Sequence, residues 1–374
     1  MYDDIKLLVD GKETFPEIIN CINNAKKSIK INMFIWRDDS IGTKIAEAIL
    51  AAANRGVYID ISVDHYACIL ENAEECKRSF FHRRLKLFDR LQVKILKNGY
   101  EELYIKEDVP SKTEGLYNEI INHNLIKIQK DKVKKDHSKY YIFDNEILIF
   151  GGINIEDKEN GSDISGRVYQ DYMVKISNKE YVDSLMSKFN LKVNINEKYF
   201  FGVNYKNKRK KCFEMKRLYV NQINEATSEM IIIMPYFQYI RKISKGIISA
   251  SKNGVDVTIM VPFEPNFQKD VTHHCMKKLM KKTNNRIKLY FSPKMVHTKL
   301  IITDKWISLG STNIAKKSFN VLSELNLFIK NQDSKFKDEL YDSINDNIEL
   351  SKKIENYKDI KYNRYRAFME NILA

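Results

Sequence analysis

The chain lacks any long apolar run. The apolar stretch IAEAILAAAN is flanked by Lys44 and Arg55 and interrupted by Glu47, and no window approaches the roughly 18 uncharged residues of a membrane-spanning helix. The opening MYDDIKLLVDGKETF holds neither a basic leader nor an apolar segment, and secretion by a signal peptide is not expected. Cysteine is sparse. The five residues Cys21, Cys68, Cys76, Cys212 and Cys275 are odd in number and show no C-x-x-C spacing, which argues against a disulfide framework and reads as reduced thiols of a cytoplasmic protein. At 374 residues and 43% hydrophobic, the chain can bury one large core or two of ordinary domain size.

Histidine is scarce too, with seven in the chain, yet two of them begin nearly the same phrase. HSKYYIFDNEILIFGGIN starts at His137 and HTKLIITDKWISLGSTN at His297. In each, a lysine follows two residues later (Lys139, Lys299) and an aspartate seven later (Asp144, Asp304). At this composition one H-x-K-x4-D match is expected by chance about 0.06 times. Both copies continue through an apolar run into a small-residue turn ending in Asn, Gly151-Gly152-Ile153-Asn154 and Gly310-Ser311-Thr312-Asn313.

The duplication is wider than the motifs. Residues 26–64 and 227–262 both read as strand, helix, strand, with an Arg55-Gly56 turn in the first and Asn253-Gly254 in the second. Each half then offers a basic amphipathic helix (80–91; 273–283), a third strand (92–97; 286–291) and the His-Lys strand. The expected architecture is α/β: two halves, residues 1–200 and 201–374, each a mixed, mostly parallel sheet flanked by helices. The first half inserts about 35 residues before His137, over 98–132, a candidate lid or specificity loop.

The formal net charge of +14 favours polyanionic partners, an anionic membrane face or nucleic acid. Lysine clusters stand at 130–136, 206–211 and 276–282, the first of them directly before His137. On a strand, residues i and i+2 share a face, so each motif histidine and its lysine point the same way. His273, His274 and Cys275 include good zinc ligands, but adjacent helical positions do not converge, and no metal site is expected there. Trp36, Tyr236 and Phe237 end two equivalent strands, either at a pocket mouth or in the core.

These motifs resemble those of the phospholipase D superfamily, H-x-K-x4-D with a G-[GS]-x-N tail, and over nearly the whole chain the cardiolipin synthase branch. VDGKETFPEIINCINNAKKSI, NRGVYIDISVD, MPYF and GSTNIAKKSFNVLSELNL carry the branch-level likeness. Ser138 departs from the Arg common inside that branch's first motif, and a Lys-rich run precedes His137. The resemblance implies two halves packed about a pseudo-twofold with one shared active site and no metal or other cofactor. His137 would attack phosphorus to give a phosphohistidine, and His297 would serve as general acid and base. Lys139, Lys299, Asn154 and Asn313 would hold the phosphoryl oxygens. Asp171 and Glu324 would support the imidazoles, Ser311 would assist in the tail, and Asp144 and Asp304 would be turn or salt-bridge residues. The implied activity is that of a phosphatidyltransferase or phospholipase on anionic phospholipid, in a cytoplasmic protein held peripherally at the membrane. A metal-independent nuclease acting on DNA or RNA is the alternative.

Overall fold

In the computed structural model, which describes residues 4–75, 78–97, 113–130, 132–163, 165–190, 198–206 and 211–373, the alternating runs SIKINM and YIDISV form parallel strands Ser28–Met33 and Tyr58–Val63. Helix Ser40–Asn54 crosses between them. Its Ile45 and Ile49 are fully buried, each contributing about 1.5–3 kcal/mol, and pack with Ile29, Ile31, Ile59 and Ile61 of the strands. The helix stops at Gly56, whose φ of +95° places the chain in a region that disfavours any side chain. In the second copy, strand Glu229–Ile233, helix Arg241–Lys252 and strand Asp256–Pro262 repeat the order. Gly254 takes the same φ of +95°.

Two compact units result, one spanning Asp4–Met186 and the other beginning at Ser187. The first holds a seven-stranded sheet in the order Ile5–Val9, Tyr172–Ile176, Ile147–Gly151, Lys139–Phe143, Ser28–Met33, Tyr58–Val63 and Ile126–Gln129. The second holds nine strands: Lys211–Phe213, Tyr199–Lys206, Glu324–Lys330, Trp306–Gly310, Leu300–Thr303, Glu229–Ile233, Asp256–Pro262, Lys288–Ser292 and Lys352–Ile354. Its inner seven match the first sheet strand for strand. The outer two extend the edges.

Both sheets are mixed and flanked by helices, but antiparallel pairing dominates, correcting the mostly parallel expectation. Parallel pairs are confined to 28–33 with 58–63 and 58–63 with 126–129 in the first unit, and 229–233 with 256–262 and 256–262 with 288–292 in the second. The reason is the motif strands: each returns through a tight hairpin, and a hairpin can join only antiparallel neighbours. Asp144 and Asn145 make the first such turn at φ of 51° and 58°.

Segment 92–97 is not a strand. It is the end of helix Leu87–Lys97, and the third parallel strand is Ile126–Gln129. The short alternation of Val93 and Ile95 suits strand and helix equally; burial of Asp89 and Val93, four residues apart, marks the helical face. Part of the supposed insertion is therefore the crossover and third strand, with helix Glu114–Asn122 preceding it, while residues 98–112 lie outside the described residues. The helix expected at 80–91 begins only at Leu87, and Phe80 and Phe81 are core residues. The other basic helix runs Lys269–Lys282, with Met276, Leu279 and Met280 each 1% exposed. These three face the core of their unit and cannot enter a membrane. Among the described residues no helix is long and apolar enough to cross a bilayer, and Cys21, Cys68, Cys212 and Cys275 are free thiols.

Candidate active site

The motif strands are central and buried. Lys139–Phe143 is buried at every position, as is Leu300–Thr303. The histidines stand just before these strands and not within them. Each lysine is 1% exposed, and its ammonium donates to the carbonyl of its own motif histidine, Lys139 Nζ to His137 O at 2.6 Å and Lys299 Nζ to His297 O. The bond curls each lysine back along the strand end and ties its ammonium to the backbone of the motif histidine. The His137 ring meets Phe34 edge-on, with centroids 4.9 Å apart; the His297 ring meets Tyr236 similarly at 6.4 Å. Trp36 and Phe237, by contrast, are core residues.

The small-residue tails are explained by close approach. A Cβ on Gly151 would lie 2.4 Å from the Tyr172 carbonyl oxygen, and one on Gly310 would lie 2.2 Å from that of Leu325. The tails then cross to the neighbouring strand ends: Arg37 N donates to Ile155 O at 2.9 Å and Gln238 N to Ile314 O at 2.8 Å. Asn154 and Asn313 are thereby anchored beside their histidine strands. Each side chain is nearly buried, and each Oδ1 has no hydrogen-bond partner among the described residues. An amide so placed retains capacity for a ligand.

The carboxylates next to these tails differ between units. Glu324 accepts a hydrogen bond from the Ser311 hydroxyl at 2.5 Å. Asp171, its counterpart, accepts from Tyr172 N at 2.8 Å and presses on Gly152, where a Cβ would lie 2.1 Å from Asp171 Oδ2. Serine is thus compatible with the second unit's carboxylate, and only glycine with the first's.

Asp144 and Asp304 do the same structural work. Asp144 accepts from the backbone N–H groups of Lys26, Lys27 and Ser28 at 2.7–2.8 Å. Asp304 accepts from Thr227 N, Thr227 Oγ1 and Ser228 N at 2.7–3.2 Å. Each ties the motif hairpin to the start of its neighbouring strand. Burial pulls both carboxyls upward in pKa, but these donors hold them below the ordinary value. A depressed pKa contributes stability above the unfolded value of about 3.9 and loses it as pH falls through the native one. Asp144→Asn and Asp304→Asn are expected to cost about 1–2 kcal/mol each at neutral pH. In thermal melts that cost should shrink toward zero as the pH is lowered past about 4; a cost independent of pH would contradict the assignment.

Sequence reasoning missed the polar scaffold around the first motif. Asp64, 2% exposed, accepts from Tyr66 N, Lys134 N and Asp136 N. Asp136 accepts from Ser138 N and Oγ, and Asn32 Nδ2 donates to Ser138 O. Burial raises the pKa of both acids. Lys132 and Lys135 of the preceding run are exposed, whereas Lys134 bonds Ser62 Oγ at 2.5 Å.

Behind Asn154 stands a buried charge network with no counterpart among the described residues of the second unit. Arg37, 1% exposed, donates Nε to Glu156 Oε2 at 2.5 Å and reaches Glu74 at 3.5 Å. Lys158 pairs with Glu74 at 2.8 Å, and Glu156 Oε1 accepts from Asn154 Nδ2 at 3.2 Å. Burial raises the Glu71 carboxyl well above its ordinary value. Gln238 and Ala315 occupy the positions of Arg37 and Glu156 in the second unit. In the sequence, a charged WRDD loop and a Glu two residues past Asn154 were the faint signals.

His273 lies 4.6 Å from Phe291 in a ring stack and packs against Phe263, and burial lowers its pKa, which suits a core imidazole.

The model of the cardiolipin synthase, PLD-like domain matches residues 18–192 and 219–348. Cardiolipin synthase of Clostridium perfringens is 26% identical over 357 residues, covering 88% of this chain and 67% of that protein. Cardiolipin synthase of Staphylococcus aureus is 24% identical over 373 residues, covering 94% and 69%. In fold, the chain is similar to phosphatidylserine synthase of Haemophilus influenzae, with a TM-score of 0.70 at 14% identity over 99% of this chain and 92% of that one. With the family model matched once on each side of the duplication, the chain belongs to the cardiolipin synthase PLD-like domain family and is a phospholipase D-type enzyme.

Proposed function

We propose that the protein transfers or hydrolyses the phosphatidyl group of an anionic phospholipid through a phosphohistidine on His137. The observation that carries this reading is the duplicated constellation itself: a histidine, a buried lysine tied to that histidine's carbonyl, and a buried asparagine after a glycine-anchored turn, once in each unit. One phosphodiester needs two histidines with opposite tasks. His137 attacks phosphorus while His297 delivers a proton to the departing alcohol oxygen; His297 then takes a proton from the incoming alcohol or water, which displaces His137. The ammonium groups of Lys139 and Lys299 and the amide N–H groups of Asn154 and Asn313 donate to the phosphoryl oxygens as negative charge develops.

The lipid rather than a nucleic acid is favoured by the helix Leu87–Lys97. Leu87 and Phe88 are 85% and 69% exposed, with Leu91 and Ile95 also in solvent. The exposed cations Lys86, Arg90 and Lys94 lie among them. A nucleic-acid groove has no use for such apolar tips, whereas an anionic bilayer boundary receives both kinds of side chain. The test presents phosphatidylglycerol vesicles and single-stranded DNA in parallel, with chelator present. Headgroup release from the vesicles, absent in His137→Ala, is the expected result. Cleavage of DNA by the wild type but not by His137→Ala, with no lipid turnover, would overturn the reading.

A further inference from the structure

We propose that the helix Arg364–Leu373 is a docking element for an anionic bilayer surface; this rests on the phospholipid reading and assigns that partner a second contact. The helix is amphipathic in the inverted sense. Tyr365, Phe368, Met369 and Ile372, spaced i, i+3, i+4 and i+7, form one stripe, and they are 72%, 61%, 38% and 61% exposed. The side turned to the protein carries Ala367 and Glu370, at 7% and 4%. An apolar stripe of this length on a helix already anchored by its other face is not there to fill the core.

The anchoring is polar and specific. Glu370 accepts from Val271 N at 2.8 Å, at the start of helix Lys269–Lys282, and Asp270 of that helix accepts from Asn363 N at 2.6 Å. Each helix start therefore receives a carboxylate from the other. Lys316 Nζ adds a bond to Asn371 Oδ1 at 3.0 Å.

Charge sorting identifies the occupant. From Ile360 to Leu373 the single acid is Glu370, which is turned inward, while Lys361, Arg364 and Arg366 are exposed. Arg366 Nε lies 3.5 Å from Asp270 Oδ2 and joins the anchoring, whereas Arg364 in the first helical turn opposes the helix dipole by about 0.3–1 kcal/mol. Lys361 and Arg364 border the apolar stripe with exposed positive charge, as an anionic interface requires. A second copy meeting this face symmetrically would bring cation against cation. The helix Leu87–Lys97 independently shows the same plan: an exposed apolar stripe, exposed cations, and its one acid, Asp89, turned inward to His65 at 3.1 Å.

The experiment uses the full chain and sedimentation with phosphatidylglycerol-containing or phosphatidylcholine vesicles. Phe368→Ser/Ile372→Ser should weaken binding to the anionic vesicles by about tenfold or more, with an unchanged melting temperature because both side chains are exposed. Turnover of a dispersed short-chain phosphatidylglycerol should persist in that variant while vesicle turnover falls. In Phe368→Trp, indole emission should shift to the blue on anionic vesicles and be quenched by acyl-brominated lipid. Unchanged vesicle binding by the double variant would overturn the proposal, as would lipid-free self-association of the wild type that the double variant abolishes. Loss of docking is read apart from loss of the proposed activity, because wild type that binds through this helix without cleaving lipid fails only the latter.

Discussion

His137→Ala is expected to abolish turnover and to leave no covalent adduct, while His297→Asn forms a phosphoryl adduct that resolves slowly. The first change removes the attacking nitrogen, for which nothing substitutes. The second leaves attack in place and removes proton transfer, a loss of about 100 to 10,000-fold. The surroundings of the two rings support testing them separately: His137 is held edge-on to Phe34 and His297 to Tyr236, with each backbone carbonyl engaged by its own lysine. Substitution at either ring leaves those lysine bonds intact, so the variants should fold. Denaturing quench at alkaline pH, where the P–N bond survives, with phosphorus-labelled phosphatidylglycerol followed by peptide mapping is the measurement. A phosphoryl group found on residue 297 in the His137→Ala protein would reverse the assignment.

Arg37→Met is expected to destabilise the protein by about 3–5 kcal/mol, because it strands the buried Glu156 carboxylate without its 2.5 Å partner. Lys158 Nζ, 3.5 Å from Glu156, offsets part of the loss. Removing both charges together, in Arg37→Met/Glu156→Met, should recover much of the stability, since an apolar pair of similar volume avoids the desolvation that the ion pair must overcome. Activity should not recover with it, because Glu156 also holds the Asn154 amide. Denaturant titration of the four proteins of this cycle, with turnover measured on each, separates the two effects. An Arg37→Met protein within about 1 kcal/mol of wild type would refute the network's structural role.

Much of the fold was legible because it is local and repeated. The strand–helix–strand units at 28–63 and 229–262 announce themselves through apolar periodicity and a glycine stop, and the duplication allowed each to check the other. The third strand of the first unit was not legible. IKIQ at 126–129 is four residues long, and only its pairing with Tyr58–Val63 makes it a strand. Strands Ile5–Val9 and Tyr199–Lys206 were missed for the same reason: each is placed in its sheet by a partner more than 100 positions away, Tyr172–Ile176 and Glu324–Lys330. The charge network escaped because Arg37, Glu74, Glu156 and Lys158 each read alone as a solvated surface residue, and only folding removes the water from all of them at once.

The sequence by itself determined the candidate constellation, since a histidine, a lysine two residues on, a glycine that permits close approach and an asparagine after it are fixed by spacing along one strand and its return. Tertiary structure alone decided which apolar faces meet water. Helices Lys269–Lys282 and Arg364–Leu373 are both basic and amphipathic, yet Met276, Leu279 and Met280 are buried while Phe368 and Ile372 stand in solvent. Periodicity records that a helix has an apolar side, but burial depends on what the rest of the chain packs against it. In one case that is a nine-stranded sheet; in the other, two carboxylate caps hold the polar side inward and leave the apolar side out.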